Sequence, residues 1–512
     1  MIAARSMRVA AGVALLAAMA SGCTLGPDYK RPQLEVPQAW RDAPVPDAET
    51  IANTPWWDLF RDPALDELIR IALAGNQDLR IAAERVIEQQ ARVGVVRSAL
   101  FPQLDLGVNA SSFEASRKAF PHLSEPADRH AELYEIAGDL TWELDVFGRI
   151  RRATEAERAI LVATDEGRRA VTISLVASVA RTYTELRDLD LRLEISRRTL
   201  DSRAKSVDLT RSLFRGGVAS EMDFRQAEAE YRRVEATVKQ FEQLVRQKEN
   251  EISALIGRIP GDIARGGSIA DAPMSMAVPA GLPSELIDRR PDVRAAEEQL
   301  HASTADVGAA KALLFPRFAL TADIGTSSTE LNSLFSGSAQ AWSVAAGVLQ
   351  PIFNAGRNRR RVEIAESQMR QSLYGYEQSM LEAFREVEDA LIGYQKTGEQ
   401  RLAQHQRVQA ERSVVDLATA RYEGGVADYL EVLDAQRSLF SAELDEVDAI
   451  GEQMVSLIQL YKALGGGWPA GEEPANAAAT SPATAHAHSA PPHASSPAVP
   501  ALAPAAAVPA SS

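Results

Sequence analysis

The 512-residue chain is 46% hydrophobic, with 55 Lys and Arg against 70 Asp and Glu, a formal charge of −15. That is enough material for several domains or one long one, and the acidic balance argues against nucleic acid, which asks for a basic face. After the first two dozen residues no run of about 18 apolar residues occurs, so any membrane crossing must be made by strands.

The chain opens as a secretory signal, residues 1–22. Arg5 and Arg8 are followed by an apolar stretch from Val9 to Ala20, too short to cross a bilayer as a helix. Ala20-Ser21-Gly22-Cys23 resembles a bacterial lipobox, with Ala20 where Leu is usual. Cys23, the only cysteine, is therefore the expected lipidation site, carrying palmitate-like acyl chains that anchor it. Ordinary cleavage leaving a free thiol is the alternative. Thr24, in place of Asp, favours the outer membrane.

Beyond residues 23–75, an expected lipidated extension and equatorial segment, the chain repeats itself. Asp78-Leu79-Arg80-Ile81-Ala82 matches Asp292-Val293-Arg294-Ala295-Ala296, and Leu100-Phe101-Pro102 matches Leu314-Phe315-Pro316. Gly148-Arg149 recurs as Gly356-Arg357, and Gly216-Gly217-Val218-Ala219 as Gly424-Gly425-Val426-Ala427. The period of about 210 residues is too long for a solenoid and predicts two halves, 76–270 and 271–464.

Each half should hold a helix, two strands and a long helix pair. Residues 103–110, 139–146, 318–325 and 342–349 alternate apolar with polar or small, each long enough for a tilted membrane strand. Phe113, Trp142, Phe318 and Trp342 are candidates for aromatic girdles. On this alternation Asp105, Asp139, Glu143, Asp145 and Asp323 face water, in a barrel lumen.

The chain has 26 prolines, but none from Ala127 to Ile259 or from Ile352 to Trp468. Since proline breaks helix interiors, rods are predicted over Ile150–Leu213 and Arg357–Glu423. Shorter returning helices follow over Ser220–Ile256 and Asp428–Leu464. Ala227, Tyr231, Val234, Val238, Phe241, Val245, Ile252 and Leu255 form a heptad stripe on the first. Phe440, Leu444, Val447, Met454, Ile458 and Tyr461 form one on the second. Residues 465–512 are rich in Ala, Pro and Ser and cannot bury a core; His486, His488 and His493 there are a weak metal cue set against low-complexity drift.

Four strands cannot close a barrel alone, and lipid tolerates no open sheet edge. Two, three or four copies would give an even-numbered barrel of at least eight strands. No dinucleotide fingerprint, P-loop, H-E-x-x-H or nucleophile elbow occurs. Neither an enzyme, a cofactor nor a metal is expected.

Three stretches carry a family resemblance. Cys23-Thr24-Leu25-Gly26-Pro27-Asp28-Tyr29-Lys30-Arg31-Pro32, Trp56-Trp57-Asp58-Leu59-Phe60-Arg61-Asp62-Pro63-Ala64-Leu65 and Pro283-Ser284-Glu285-Leu286-Ile287-Asp288-Arg289-Arg290-Pro291-Asp292 resemble landmarks of the TolC-type outer membrane factors, lipoprotein (NodT-type) branch. The resemblance implies a mainly α protomer that trimerises into a twelve-stranded β-barrel, three times four strands, with an α-helical periplasmic tunnel. It implies a passive efflux duct for drugs or other small molecules, served by a periplasmic adaptor and an inner-membrane pump of RND type. It also places adaptor contacts at the tip turns Gly216, Gly217, Val218, Ala219 and Ser220, and Gly424, Gly425, Val426, Ala427 and Asp428. Because the turns share a sequence, the docking grooves should be similar. Asp208, Asp416, Arg421 and Tyr422 are expected at the aperture gate, though Thr419 occupies one position where the family has aspartate. The competing readings are a type I-like protein-secretion duct and a periplasmic coiled-coil scaffold lipoprotein.

Overall fold

Proline-free stretches and heptad spacing predict long rods, and the computed structural model contains them. It describes residues 24–33, 35–41, 62–114, 130–267, 269, 281 and 283–466. The signal segment, Cys23, the Trp56-Trp57 landmark and the histidines of the tail lie outside the described residues.

Helix α1 (Pro63–Gly75) starts where Asp62 accepts hydrogen bonds from the amides of Ala64 and Leu65, with Pro63 in the first turn. Helix α2 (Gln77–Ser98) leads into strands β1 (Gln103–Glu114) and β2 (His130–Leu144). Then come the rod α3 (Arg149–Arg215) and the returning helix α4 (Glu221–Leu255). The second half repeats this as α5 (Pro283–Arg289), α6 (Pro291–Ala312), β3 (Arg317–Ser328), β4 (Gln340–Leu349), α7 (Arg357–Glu423) and α8 (Tyr429–Ala463). Both rods have 67 residues, roughly 100 Å at 1.5 Å per residue.

The heptad stripes pack as their spacing predicts. Ala227, Val234, Val238, Phe241, Val245 and Ile252 are buried along α4, as are Phe440, Val447, Met454, Ile458 and Tyr461 along α8. The largest apolar core gathers α1, the middle of α3 and α7, and the far ends of α4 and α8.

The strands form one antiparallel sheet in the order β1-β2-β3-β4, so β1 and β4 are both free edges. Opposed residues share a face, and the pairing sets Leu104, Leu140, Ala322 and Val344 in one row. The next row, on the other face, is Asp105, Asp139, Asp323 and Ser343. The strand alternation therefore builds one continuous apolar face.

The strands run past their expected bounds, and two differences bear on the site. β2 begins nine residues early, at His130, and stops at Leu144, leaving Asp145 and Val146 outside it. Phe113, opposite Ala131, has the parity of Asp105 and lies on the polar side rather than in an outward girdle.

The halves meet along a seam. β2 pairs with β3, and α6 is wedged between α3 of the first half and α7 of its own. Helix α2, the counterpart of α6, packs chiefly on α3. The consequence is visible residue by residue. Ala305 and Gly308 are buried, whereas their counterparts Ala91 and Gly94 are exposed.

Candidate functional site

The apolar face of the sheet is bare. Leu104, Leu106, Val108, Ile324 and Trp342 are each more than 70% exposed. A patch of this kind on a folded chain marks a surface meant for protein or lipid. No described helix is long and apolar enough to cross a membrane, which leaves the sheet as the described element suited to lipid.

The opposite face carries four of the five acids expected in the lumen, three of them in one row. Asp105, Asp139 and Asp323 stand side by side, and the Ser343 hydroxyl donates to Asp323. Glu143 shares that face but accepts two hydrogen bonds from Arg149, at 3.0 and 2.9 Å, so its charge is matched. Asp145 does not face a lumen. It accepts from the amides of Ile150 (3.0 Å) and Arg151 (2.8 Å), capping the start of α3. Helix N-termini leave amide donors unsatisfied and attract a carboxylate; here that demand overrides the alternation. Glu135, opposite Asn109 and Ser327, belongs to the polar face and was not anticipated.

At the far end of the rods the two turns have the same backbone. Gly216 and Gly424 close the helices, and the amides of Val218 and Val426 bond back to the carbonyls of Leu213 and Arg421 at 3.0 Å. Gly217 and Gly425 sit at φ +76° and +73°, the left-handed region that glycine enters at little cost. Ser220 and Asp223 form a reciprocal capping box, whereas Asp428 makes no side-chain cap. Val218 and Val426 project into solvent at 78% and 68% exposure.

The flanks of the two turns differ although their backbones match. In the first hairpin Phe214 stacks on Phe224 at 6.3 Å, with Arg211 and Arg225 over the Phe224 ring. In the second Tyr422 meets Tyr429 edge-on at 5.6 Å, and Arg421 donates to Glu431 of α8 at 2.9 Å.

The four expected gate residues lie toward these tips, on α3 and α7. Asp208 pairs with Arg211 at 3.2 Å, and Asp416 is exposed. Tyr422 is half-buried against a cluster of Val207, Ala227, Tyr429 and Leu433. Within one chain, then, Glu431 ties Arg421 to its own hairpin, whereas Tyr422 packs against both hairpins.

The polar links between the hairpins were not foreseen. Glu230 of α4, buried, accepts from Arg437 of α8 at 2.7 Å and from Arg233 at 3.0 Å. Burial pushes its carboxyl up, but these hydrogen bonds outweigh that and hold it below the usual glutamate value. Arg203 of α3 donates to Gln436, and Glu443 of α8 takes Arg198 of α3 and Arg412 of α7. Burial lowers the Arg203 guanidinium. The signal was present: Glu230 falls between Ala227 and Val234, and Glu249 between Val245 and Ile252, at positions a coiled coil fills with apolar side chains.

Near the sheet, residues 24–31 cross the seam between the halves. Arg152 of α3 donates to the Leu25 carbonyl at 3.2 Å and pairs with Asp28 at 2.5 Å. The Tyr29 hydroxyl donates to Glu297 at 2.9 Å while its ring stacks on His301 at 4.8 Å. Arg31 reaches Glu297 and Asp288.

A two-faced sheet with open edges, continued by rods of roughly 100 Å, describes a segment of the wall of a membrane-spanning channel. The family model for outer membrane efflux proteins matches residues 68–258 and 282–466. The solvent efflux pump outer membrane protein SrpC of Pseudomonas putida is 37% identical over 459 residues, 88% of this chain and 96% of that protein. The cation efflux system protein CusC of Escherichia coli is 34% identical over 452 residues, with 88% and 96% covered. Among solved structures, the outer-membrane channel OprN superposes with TM-score 0.80 at 33% identity, covering 87% of this chain and 100% of that one. The open-state MtrE channel of Neisseria gonorrhoeae gives 0.78 at 31%, with 87% and 98% covered. The chain belongs to the outer membrane efflux protein family.

Proposed function

We propose that three copies close a twelve-stranded barrel, three times the four strands of one sheet, and form the passive outer-membrane duct of a tripartite efflux system. The observation that carries this reading is the unfinished seam. Within the chain, β2 joins β3 and α3 joins α6. At the chain's two sides the equivalent surfaces, β4 with α7 and β1 with α2, are left bare. Copies joined head to tail remove both sheet edges, as lipid requires; the family supplies the number three. Cys23 lipidation anchors the base of the barrel, the rods line a periplasmic tunnel, and the tips receive a periplasmic adaptor that links to an inner-membrane pump of RND type. No covalent step is needed. The relatives are named for solvent, toluene and cation efflux, so the cargo class follows the pump rather than the shared duct. Mature protein extracted from membranes should migrate as a heat-modifiable trimer rich in β signal; a water-soluble monomer would end the reading.

Two expectations follow for the conduit. Replacing Asp105, Asp139 and Asp323 together by Asn removes the acid row, so cation preference, read as reversal potential in a salt gradient, should fall several-fold. A wild-type channel that already prefers anions refutes the lumen assignment. At the tips, no atom lies within 4 Å of where a Cβ on Gly217 or Gly425 would sit. Gly217→Leu or Gly425→Leu should therefore leave membrane insertion intact, at a local strain of about 1–2 kcal/mol, while weakening cross-linking to the adaptor. Unchanged cross-linking and resistance would count against docking there.

A further inference from the structure

We propose that Arg357 and Arg361 form a basic ring on the wall of the assembled duct, where barrel meets tunnel, and that this ring binds anionic solutes carrying phosphate or sulfonate groups. The inference rests on the duct proposed above and adds a binding site to it. Both residues belong to the opening turns of α7, just beyond β4.

The first observation is a set of arginines whose acids exist in one half only. In the first half Arg149 donates to Glu143 at 3.0 and 2.9 Å, and Arg151 pairs with Asp145 at 3.4 Å. Gly148-Arg149 recurs as Gly356-Arg357, so the counterparts of Glu143 and Asp145 are Pro351 and Phe353, and neither carries a charge. The second half nonetheless has more arginine there: Arg357, Arg359, Arg360 and Arg361, the last standing where the first half has Ala153. Arg360 pairs with Glu363 at 2.6 Å. Arg357, Arg359 and Arg361 are exposed and make no side-chain hydrogen bond or ion pair with a described residue. In a chain whose acids outnumber its bases, these guanidinium groups are left unmatched.

The second observation is the direction they face. Asn358, Val362, Ala365 and Met369 form the stripe of α7 that packs on α6. Asn358 donates to the Leu313 carbonyl at 2.6 Å, and the other three gather around Val307 and Ala310. At 3.6 residues per turn, Arg357 and Arg361 fall on one side of that stripe, and Arg359, Glu363 and Glu366 on the other. The first half identifies the two sides. Arg149, the counterpart of Arg357, reaches Glu143 on the polar face of the sheet. Glu155, the counterpart of Glu363, lies 3.5 Å from His301, on which Tyr29 of the N-terminal segment stacks. That segment starts beside the proposed lipid anchor at Cys23, so its side is the outer one. Arg357 and Arg361 therefore share the conduit side, and Arg359 the outer side. Guanidinium groups hold oxyanions through paired N–H donors, and residues four apart on a helix are neighbours. One phosphate or sulfonate group can thus engage both arginines of a copy.

The test uses the full-length protein in non-ionic detergent with pyrenetetrasulfonate, a fluorescent tetraanion, followed by fluorescence anisotropy at low salt. Saturable binding that weakens as salt is added is expected. Arg361→Ala, which installs the residue the first half carries there, should weaken binding several-fold, and Arg357→Gln with Arg361→Ala by about tenfold or more. Arg357→Lys with Arg361→Lys keeps both charges and should retain most of the binding. Arg359→Gln removes an equal charge from the outer side and should change nothing. Binding undiminished in the double variant, or weakened as much by Arg359→Gln, would overturn the ring, as would an unsubstituted trimer that does not take the probe. Should the double variant fail to assemble, Arg361→Ala decides alone, and undiminished binding there rejects the ring. An unsubstituted protein that forms no trimer would instead remove the duct itself, and the ring with it.

Discussion

Val108→Arg is expected to remove most of the folded trimer from the outer membrane, whereas Asn109→Arg, one residue on, is expected to leave it assembled. Val108 is 74% exposed and stands opposite Ile136 on the apolar face. Asn109 stands opposite Glu135 on the polar face. Arginine on the lipid side of a barrel costs about 2–4 kcal/mol near the bilayer midplane, and a trimer carries that cost three times. A domain's whole stability is about 5–15 kcal/mol, so the first variant falls near the limit. The same guanidinium at Asn109 enters water beside a carboxylate. The measurement is heat-modifiable trimer in isolated membranes, with drug susceptibility alongside. Equal behaviour of the two variants would mean that the faces are not divided as the register divides them.

Gly308→Ala should destabilise the chain by about 1–3 kcal/mol and make residues 24–33 accessible to protease. A Cβ on Gly308 would lie 2.5 Å from the Leu25 carbonyl oxygen and 3.0 Å from Cγ of Arg152, and Gly26 crosses at the same point. The crossing segment cannot shift without straining the Arg152–Asp28 pair and the Tyr29–Glu297 hydrogen bond. Because Cys23 directly precedes this segment, loosening it also loosens the proposed anchor. Gly94→Ala is the informative companion. In a single chain nothing lies within 4 Å of a Cβ there, and alanine improves helix propensity by about 1 kcal/mol. If α7 of a neighbouring copy covers Gly94, the same change weakens the trimer instead. Thermal denaturation of G308A, and trimer yield of both variants, separate these effects. An unaltered midpoint and unaltered proteolysis for G308A would contradict the tight crossing.

Much of this architecture is legible in the amino-acid order, because its determinants are local. Proline-free stretches mark α3 and α7, and the glycine turns just before Ser220 and Asp428 mark the starts of α4 and α8, since backbone sterics act over a few residues. The stripes from Ala227 to Ile252 and from Phe440 to Tyr461 need only a constant helical period. The duplication and the four alternating segments are read in the same way.

Longer-range competition decided the rest. Asp145 has the alternation of a lumen residue, but the strand stops one position earlier and the α3 amides take its carboxylate. Arg421 and Tyr422 are expected at a gate; in one chain Glu431 of the returning helix accepts from Arg421, and Tyr422 packs on Tyr429 and, across the hairpins, on Val207 and Ala227. Glu230 sits inside a coiled-coil stripe because Arg437, more than two hundred residues away, reaches it. The sequence by itself determined the elements, their order and their two-faced character, since side-chain period and backbone sterics are properties of neighbouring residues. Only the tertiary structure decided which charges are matched and which surfaces stay bare, because a carboxylate takes the nearest donors in space and these come from distant parts of the chain.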